Sequence, residues 1–160
     1  MSSVYELTVY GRARPQGSKT AFVNKYTGRA QMRESSTGHR DWRDLVKLCA
    51  QEAANKPKQP IEGPVAVNVV FAFARPKSHY YQRKSGLVLR DDAPVWVLSR
   101  GIGDIDKLQR SIYDAITDAG WIRDDSQIAR VYASKEWTEG AHRVSVAVSR
   151  LAGLGGDAIK

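Results

Sequence analysis

The stretch GDIDKLQRSIYDAITDAG, Gly103 to Gly120, decides how this chain folds. Ile105, Leu108, Ile112, Ala115, Ile116 and Ala119 recur at the three- and four-residue spacing of one helical face, and Gly120 supplies the stop. Before this helix runs an apolar segment, Val65 to Ala74, opened by Pro64 and closed by Arg75-Pro76; after it, Ile128 to Trp137 has the composition of a strand.

Working outward, Val4 to Tyr10 reads as a first strand. Asp41 to Ala54 reads as a helix with Trp42, Leu45, Val46, Cys49 and Ala53 on its apolar side, ended by Pro57 and Pro60. His142 to Ser149 is a last strand, expected to pair with Ile128–Trp137 around the turn Thr138-Glu139-Gly140-Ala141. The expected class is α+β: a small mixed β-sheet of about four strands covered by two main helices, in a single domain over residues 1–150. Residues 151–160, with Gly153, Gly155 and Gly156, read as a flexible tail.

With 160 residues the chain has enough length for one hydrophobic core. Its net charge of +8 points to a polyanionic partner, nucleic acid before an anionic membrane surface. Residues 11–33 hold six Lys/Arg and no acid, broken by Pro15, Gly17 and Gly28, and read as a cationic loop or hairpin. Residues 75–102 read as a long irregular excursion rich in Lys and Arg. Cys49 stands alone, so no intrachain disulfide forms, and a reducing cytoplasm suits it. Glu6, Arg12 and Arg14 interrupt any signal-peptide pattern, and the longest apolar run is about half of the ~20 residues a membrane span needs. Gly11 to Thr20 has the wrong spacing for a nucleotide-binding P-loop, because Ser18 separates Gly17 from Lys19.

Against this cationic background four carboxylates stand at the two ends of the second helix: Asp104 and Asp106 at its start, Asp124 and Asp125 after its end. An N-cap and first-turn placement accounts for the first two, and a solvated turn accounts for the second two. Taken together they would make an oxygen-only site suited to Mg²⁺ or Mn²⁺ on a phosphodiester. The helix spans about 20 Å, so convergence needs a second helix end, a bent approach or another subunit. His39, His79 and His142 are too dispersed to join them and read as surface or loop residues. Asp106, Arg110 and Asp114 recur every fourth residue, as i,i+4 ion pairs or with Arg110 turned to phosphate.

Gly103-Asp104-Ile105-Asp106-Lys107-Leu108, then Asp114-Ala115-Ile116-Thr117, Gly120 and Asp124-Asp125-Ser126-Gln127-Ile128, resemble the RusA-type Holliday-junction resolvases, many of them from phages and prophages. The likeness is densest over residues 102–148, with weaker matches in Arg14-Pro15-Gln16-Gly17-Ser18-Lys19 and Arg75-Pro76-Lys77-Ser78-His79. It implies a homodimeric, Mg²⁺-dependent endonuclease, with Mn²⁺ as a substitute metal, that resolves four-way DNA junctions by symmetric paired nicks. It places the enzyme in the cytoplasm of a bacterium or phage-infected host. By the same resemblance Asp104, Asp106 and Asp125 are metal ligands or water-activating groups. Where the family pattern has a lysine four residues after its second aspartate, this chain has Arg110, which keeps the charge but does not release a proton; Lys107 or Lys135 is then the proton-transfer candidate. Arg12, Arg14, Lys19, Lys25, Lys77, Arg83, Lys84 and Lys107 are the expected contacts to branched DNA. Tyr80 and Tyr81 are candidates to stack on unpaired bases, and Trp96 is read as packing beneath its loop. Without the resemblance, a non-catalytic nucleic-acid-binding module and a less selective flap or fork nuclease fit the same basic loops.

Overall fold

A computed structural model describes residues 4–17, 19–23, 30–34 and 38–153. The element order is β1 (Val4–Tyr10), β2 (Lys19–Val23), β3 (Ala30–Glu34), α1 (His39–Glu52), β4 (Val65–Ala74), β5 (Tyr80–Arg83), β6 (Gly86–Leu89), α2 (Ile105–Asp118), β7 (Ile128–Thr138) and β8 (Arg143–Arg150). A four-stranded mixed sheet in the order β1-β8-β4-β7 carries both helices, and β2-β3 and β5-β6 form separate two-stranded ladders.

Strand β4 is apolar almost throughout because it lies between two neighbours and beneath the helices. Val65, Val67, Val69, Phe71 and Phe73 alternate onto the helix side and are buried. The register aligns them in rows: Val9, Val144 and Phe71; Leu7, Val146 and Val69; Tyr5, Val148 and Val67. Leu108, Ile112, Ala115 and Ile116 of α2 and Trp42, Val46 and Ala50 of α1 complete one core with these rows. Truncating a side chain such as Phe71 to Ala would cost about 3–5 kcal/mol.

The last two strands do not form the hairpin expected from the sequence. Strand β7 pairs parallel with β4, while β8 pairs antiparallel with β4 and β1, so β4 lies between them. Alternation and a polar turn favour a hairpin locally; the long apolar β4 instead takes the central place, where it has a hydrogen-bonding neighbour on each edge and its apolar face is covered by the helices. The excursion over 75–102 is also more regular than expected, since β5 and β6 pair across Lys84-Ser85. On α1 the buried stripe is Trp42, Val46 and Ala50, with Leu45 exposed and Cys49 partly buried. His39 is buried at the start of this helix, against the surface placement expected for it. The cationic stretch 11–33 contains the β2-β3 hairpin; Lys25 lies outside the described residues, as do positions 154–160 of the expected tail. No helix among the described residues is long and apolar enough to cross a membrane.

Helix α2 ends on a Schellman arrangement: the Trp121 amide donates to Ile116 O and the Gly120 amide to Thr117 O, both at 2.9 Å, with Gly120 at φ 79°. Trp121 then enters the core, and its indole Nε1 donates to Ala50 O at 2.9 Å, joining the ends of the two helices. At the other end, Gly103 has φ 96°, and a Cβ there would meet the Pro15 ring at 2.7 Å. Both glycines need a left-handed backbone, but only Gly103 also needs the space. Gly120→Ala is therefore expected to cost about 1–2 kcal/mol, the ordinary left-handed penalty. Gly103→Ala is expected to cost more, because Pro15 must move as well. Denaturant unfolding of the two variants checks the order.

Candidate active site

The start of α2 is held under a strap formed by residues 14–16. The Gln16 amide donates to Lys107 O at 3.0 Å, Ser111 Oγ donates to Arg14 O at 3.3 Å, and Pro15 covers Gly103. Asp104 occupies the N-cap position, and its carbonyl accepts from the Leu108 amide at 3.1 Å. Its side chain, however, caps nothing. A helix N-cap aspartate ordinarily accepts from the second or third amide of its helix. Here the carboxylate is turned outward, 72% exposed, and that of Asp106 is 59% exposed. Helix capping therefore does not account for Asp104.

Cations surround this pair. Lys107 Nζ lies 3.4 Å from Asp104 Oδ2, and Arg110 Nη2 lies 3.6 Å from Asp106 Oδ2. Exposed pairs of this kind are worth about 0.2–1 kcal/mol, so they exchange readily for a stronger partner. Only the first half of the expected Asp106–Arg110–Asp114 ladder is formed; Asp114 faces Arg43 and His39 instead. Lys135 rises from the helix side of β7, in the row of Phe71, and its Nζ donates to Gly103 O at 3.2 Å. That ammonium thus stands one residue from Asp104.

The second acidic pair is divided by local hydrogen bonding. Asp124 Oδ1 accepts from the Ser126 amide at 2.8 Å, while Gln127 Oε1 accepts from the amides of Arg123 (2.7 Å) and Asp124 (3.2 Å). Gln127 Nε2 donates to the carbonyls of Ile61 and Gly63 at 2.8 and 2.9 Å. Asp124 thus closes a capping box on a 3₁₀ turn, and its bonds to Ser126 hold its carboxyl below the usual value. Asp125 is exposed and takes no part in the box.

Asp125 does not lie beside Asp104 and Asp106. It borders a cleft of about 340 Å³ with Arg43, Asp114, Thr117, Asp118 and Asp124 at the opposite end of α2. The twelve residue steps from Asp106 to Asp118 measure about 18 Å along the helix axis. Burial pushes the Asp114 carboxyl up; Arg43 and His39 oppose that shift, whereas Asp118 and Asp125 add to it. No basic residue occupies the last turn of α2, so these acids crowd the negative end of the helix dipole. Among the described residues of one chain, no three His, Cys, Asp or Glu side chains form a metal-binding group.

The expected DNA contacts are dispersed over the surface. Arg83 and Arg90 lie 5.7 and 4.8 Å over the ring of Tyr81, with Lys84 at the tip of the same hairpin. Arg14 is exposed on the strap beside α2. Arg12 and Lys77 line a cavity of about 750 Å³ with Trp96 and Trp137. Trp96 is 72% exposed at that cavity, not packed beneath its loop. The backbone of Lys19 belongs to β2, and its side chain lies outside the described residues. Arg75, His79 and Trp137 line the same cavity and are not among the contacts expected from the sequence. The signal available for Trp137 was its place two residues after Lys135 in an alternating strand, which puts both on one face.

The domain is α+β and exposes Asp104 and Asp106 among lysines and arginines at the start of α2. Comparison with known families makes the class specific: residues 12–149 match Endodeoxyribonuclease RusA, and the chain belongs to that family. It is a Holliday-junction-resolving endodeoxyribonuclease, and the family's nucleases are metal-dependent. A comparison with curated proteins gives no significant match.

The different bonding of Asp124 and Asp125 separates their roles in folding. The folded-state pKa of Asp124 is lowered, so its stabilisation is present above the unfolded carboxylate value of about 3.9 and is lost as pH falls through the folded value. Asp124→Ala is expected to lower the thermal midpoint at pH 7 and to lose that deficit in acid. Asp125→Asn should not lower the midpoint at pH 7, where losing its repulsion with Asp114 should raise it slightly, and should have no effect in acid. Thermal unfolding at pH 7 and pH 3 checks both.

Proposed function

We propose that Asp104, Asp106 and Asp125 are the catalytic acids of a homodimeric, Mg²⁺-dependent enzyme that nicks four-way junctions in symmetric pairs. The observation that carries this reading is the Asp104 side chain, which occupies an N-cap position without capping and extends into solvent at the helix start that also exposes the Asp106 carboxylate. Two exposed carboxylates fit Mg²⁺, which typically takes one or two protein carboxylates and completes its shell with water and substrate phosphate. Bound there, Mg²⁺ supplies polarisation of a phosphoryl oxygen and a lowered pKa for the attacking water.

Around it, Arg110 grips a non-bridging phosphate oxygen as a fork and adds charge without releasing a proton. Lys135, anchored at the Gly103 carbonyl, and Lys107, anchored at Asp104, are the ammonium groups within reach of the leaving oxygen's proton demand. Arg12, Arg14, Lys77, Arg83 and Lys84 hold the DNA arms through phosphates, which makes binding steeply salt-dependent. Lys19 and Lys25 extend this set in the cationic hairpin region. The site of action is the cytoplasm, where the DNA is.

The length of α2 supports a site shared between subunits: Asp104 and Asp106 from one chain, Asp125 from the other. A two-fold dimer matches the two-fold symmetry of a four-way junction and presents two equivalent sites to it. Strand β7 is an exposed edge eleven residues long, and such an edge is a ready surface for a partner chain.

Asp104→Asn, Asp106→Asn and Asp125→Asn are each expected to bind a synthetic immobile junction while losing at least about a hundredfold in Mg²⁺-dependent nicking. Substantial cleavage by all three would overturn the assignment. EDTA should abolish nicking, and plain duplex should be cut more slowly than the junction. Mixed and refolded together, the inactive Asp106→Asn and Asp125→Asn proteins should regain activity, because the heterodimer holds one intact shared site. The product should be a junction nicked on one strand only. No recovery after confirmed subunit exchange would assign each site to a single chain.

Arg110→Lys is expected to retain nicking, and Arg110→Ala to lose about tenfold or more, comparable with removal of a charged transition-state contact. Equal loss in the two variants would show that the guanidinium fork, rather than the charge, is required.

A further inference from the structure

The cavity of about 750 Å³ lies at the end of the sheet where α2 begins, and Ile102 in its wall is two residues before Asp104. Its volume is in the range of small-molecule sites, roughly 300–1,000 Å³. Phe73, Trp96 and Trp137 provide aromatic surface, and Arg12, Arg75 and Lys77 provide positive charge. No Asp or Glu lines it among the described residues.

The polar groups are fixed as donors. Arg75 is committed to the cavity wall: its Nη1 donates to Pro94 O at 2.9 Å and lies 3.3 Å from His79 Nδ1, with the guanidinium 5.9 Å from the Trp137 ring centre. His79 packs edge-on against Trp137 at 5.0 Å. Since Arg75 can only donate, His79 Nδ1 accepts and its Nε2 carries the proton. His142 Nδ1 accepts from the Ala74 amide at 3.0 Å, which leaves its Nε2 as a donor too. Burial, and then Arg12 and Arg14, hold the His142 pKa below the ordinary value, so it serves as a neutral donor. Trp137 Nε1 donates to Trp96 O at 3.2 Å, which ties the loop carrying Trp96 to β7.

Aromatic faces, imidazole and cationic donors, and no carboxylate suit a ligand that is flat, rich in acceptors and anionic. We infer that this cavity receives one extrahelical nucleotide, its base against Trp96 and Trp137 and its phosphate on Arg12 and Lys77. That the nucleotide comes from a junction crossover rests on the proposed function; the chemistry of the cavity does not. Bases at a crossover have lost part of their stacking and are the least costly to extrude. Because the cavity wall leads into Asp104, the base held there is a neighbour of the phosphate to be cut. The cavity is then where cleavage acquires a base preference.

The test uses isotopically labelled full-length protein titrated with the dinucleotide d(pTpT) in EDTA, with the four tryptophan indole N–H signals followed by NMR. Trp96 and Trp137 should shift, whereas Trp42 and Trp121, both buried in the core, should not. Trp96→Ala, at an exposed position, should weaken the dinucleotide by at least about fivefold, the lower bound for loss of a base-stacking aromatic. Lys77→Ala should weaken it as well. Silent Trp96 and Trp137 signals at millimolar dinucleotide would overturn the inference. So would the same shifts produced by inorganic phosphate alone, which would make this an anion site without base recognition. Normal junction nicking alongside silent signals would remove the cavity and leave the proposed function intact. Absence of junction nicking alongside the expected shifts would do the reverse.

Discussion

The parallel pairing of β4 with β7 is the constraint from which the rest of the structure follows. Two parallel neighbours cannot be joined by a tight turn; the chain must travel back along the sheet before the second strand begins. Helix α2 makes that return. Its N-terminus is therefore at the end of the sheet where β4 finishes, and its C-terminus is where β7 starts. Residues just before the helix and just after it, however alike in chemistry, are held a helix length apart. The separation of Asp104 and Asp106 from Asp125 is a consequence of the pairing, and no loop adjustment removes it.

This explains which parts of the fold were legible in the sequence. Every main strand and both helices could be read from apolar periodicity, because periodicity records which face is buried. The partner of a buried face is not recorded in the same way. Ile128–Thr138 and Arg143–Arg150 alternate like a hairpin, and only the uniform burial of Val65, Val67, Val69, Phe71 and Phe73 hinted that β4 needed a neighbour on each side. The β5-β6 ladder was missed for a different reason. Its residues are largely exposed, so no apolar pattern marks it.

The candidate site was legible in composition and only partly in geometry. The sequence singles out all four acids; the direction of the Asp104 side chain, which no letter records, is what separates it from a simple N-cap. Asp124 and Asp125 are indistinguishable as letters. They are distinguished by Gln127, whose side chain bridges the turn and the Ile61 and Gly63 carbonyls, fixing a box in which Asp124 is a part and Asp125 is not. Trp137 and Arg75 carry no mark in the sequence beyond a strand-end aromatic and a loop cation, and only the fold brings both against His79.

The same topology links chemistry to recognition. On the helix side of β7, Lys135 and Trp137 are consecutive inward positions: the first reaches the Gly103 carbonyl beneath Asp104, and the second walls the aromatic cavity. One strand therefore supports both the exposed acids and the cavity, so a shift of β7 would move the two together. The strap over Gly103 adds the second restraint, since Pro15 leaves no room for a side chain there and the Arg14 and Gln16 backbone bonds hold it to α2. Rigid support matters most for acids that are themselves exposed, because carboxylates without packing of their own take their position entirely from the backbone that carries them. At the far end the opposite holds: Asp118, Asp124 and Asp125 gather at a helix C-terminus with no basic residue in its last turn, an arrangement that opposes the helix dipole. Arg43 borders the same cleft and offsets part of that charge, and a further cation or a cationic surface brought against it would offset more. Asp104 and Asp106 already stand among Lys107, Arg110 and Lys135, so a second subunit that delivers its α2 N-terminus to this cleft would relieve the charge and join the acids in a single step.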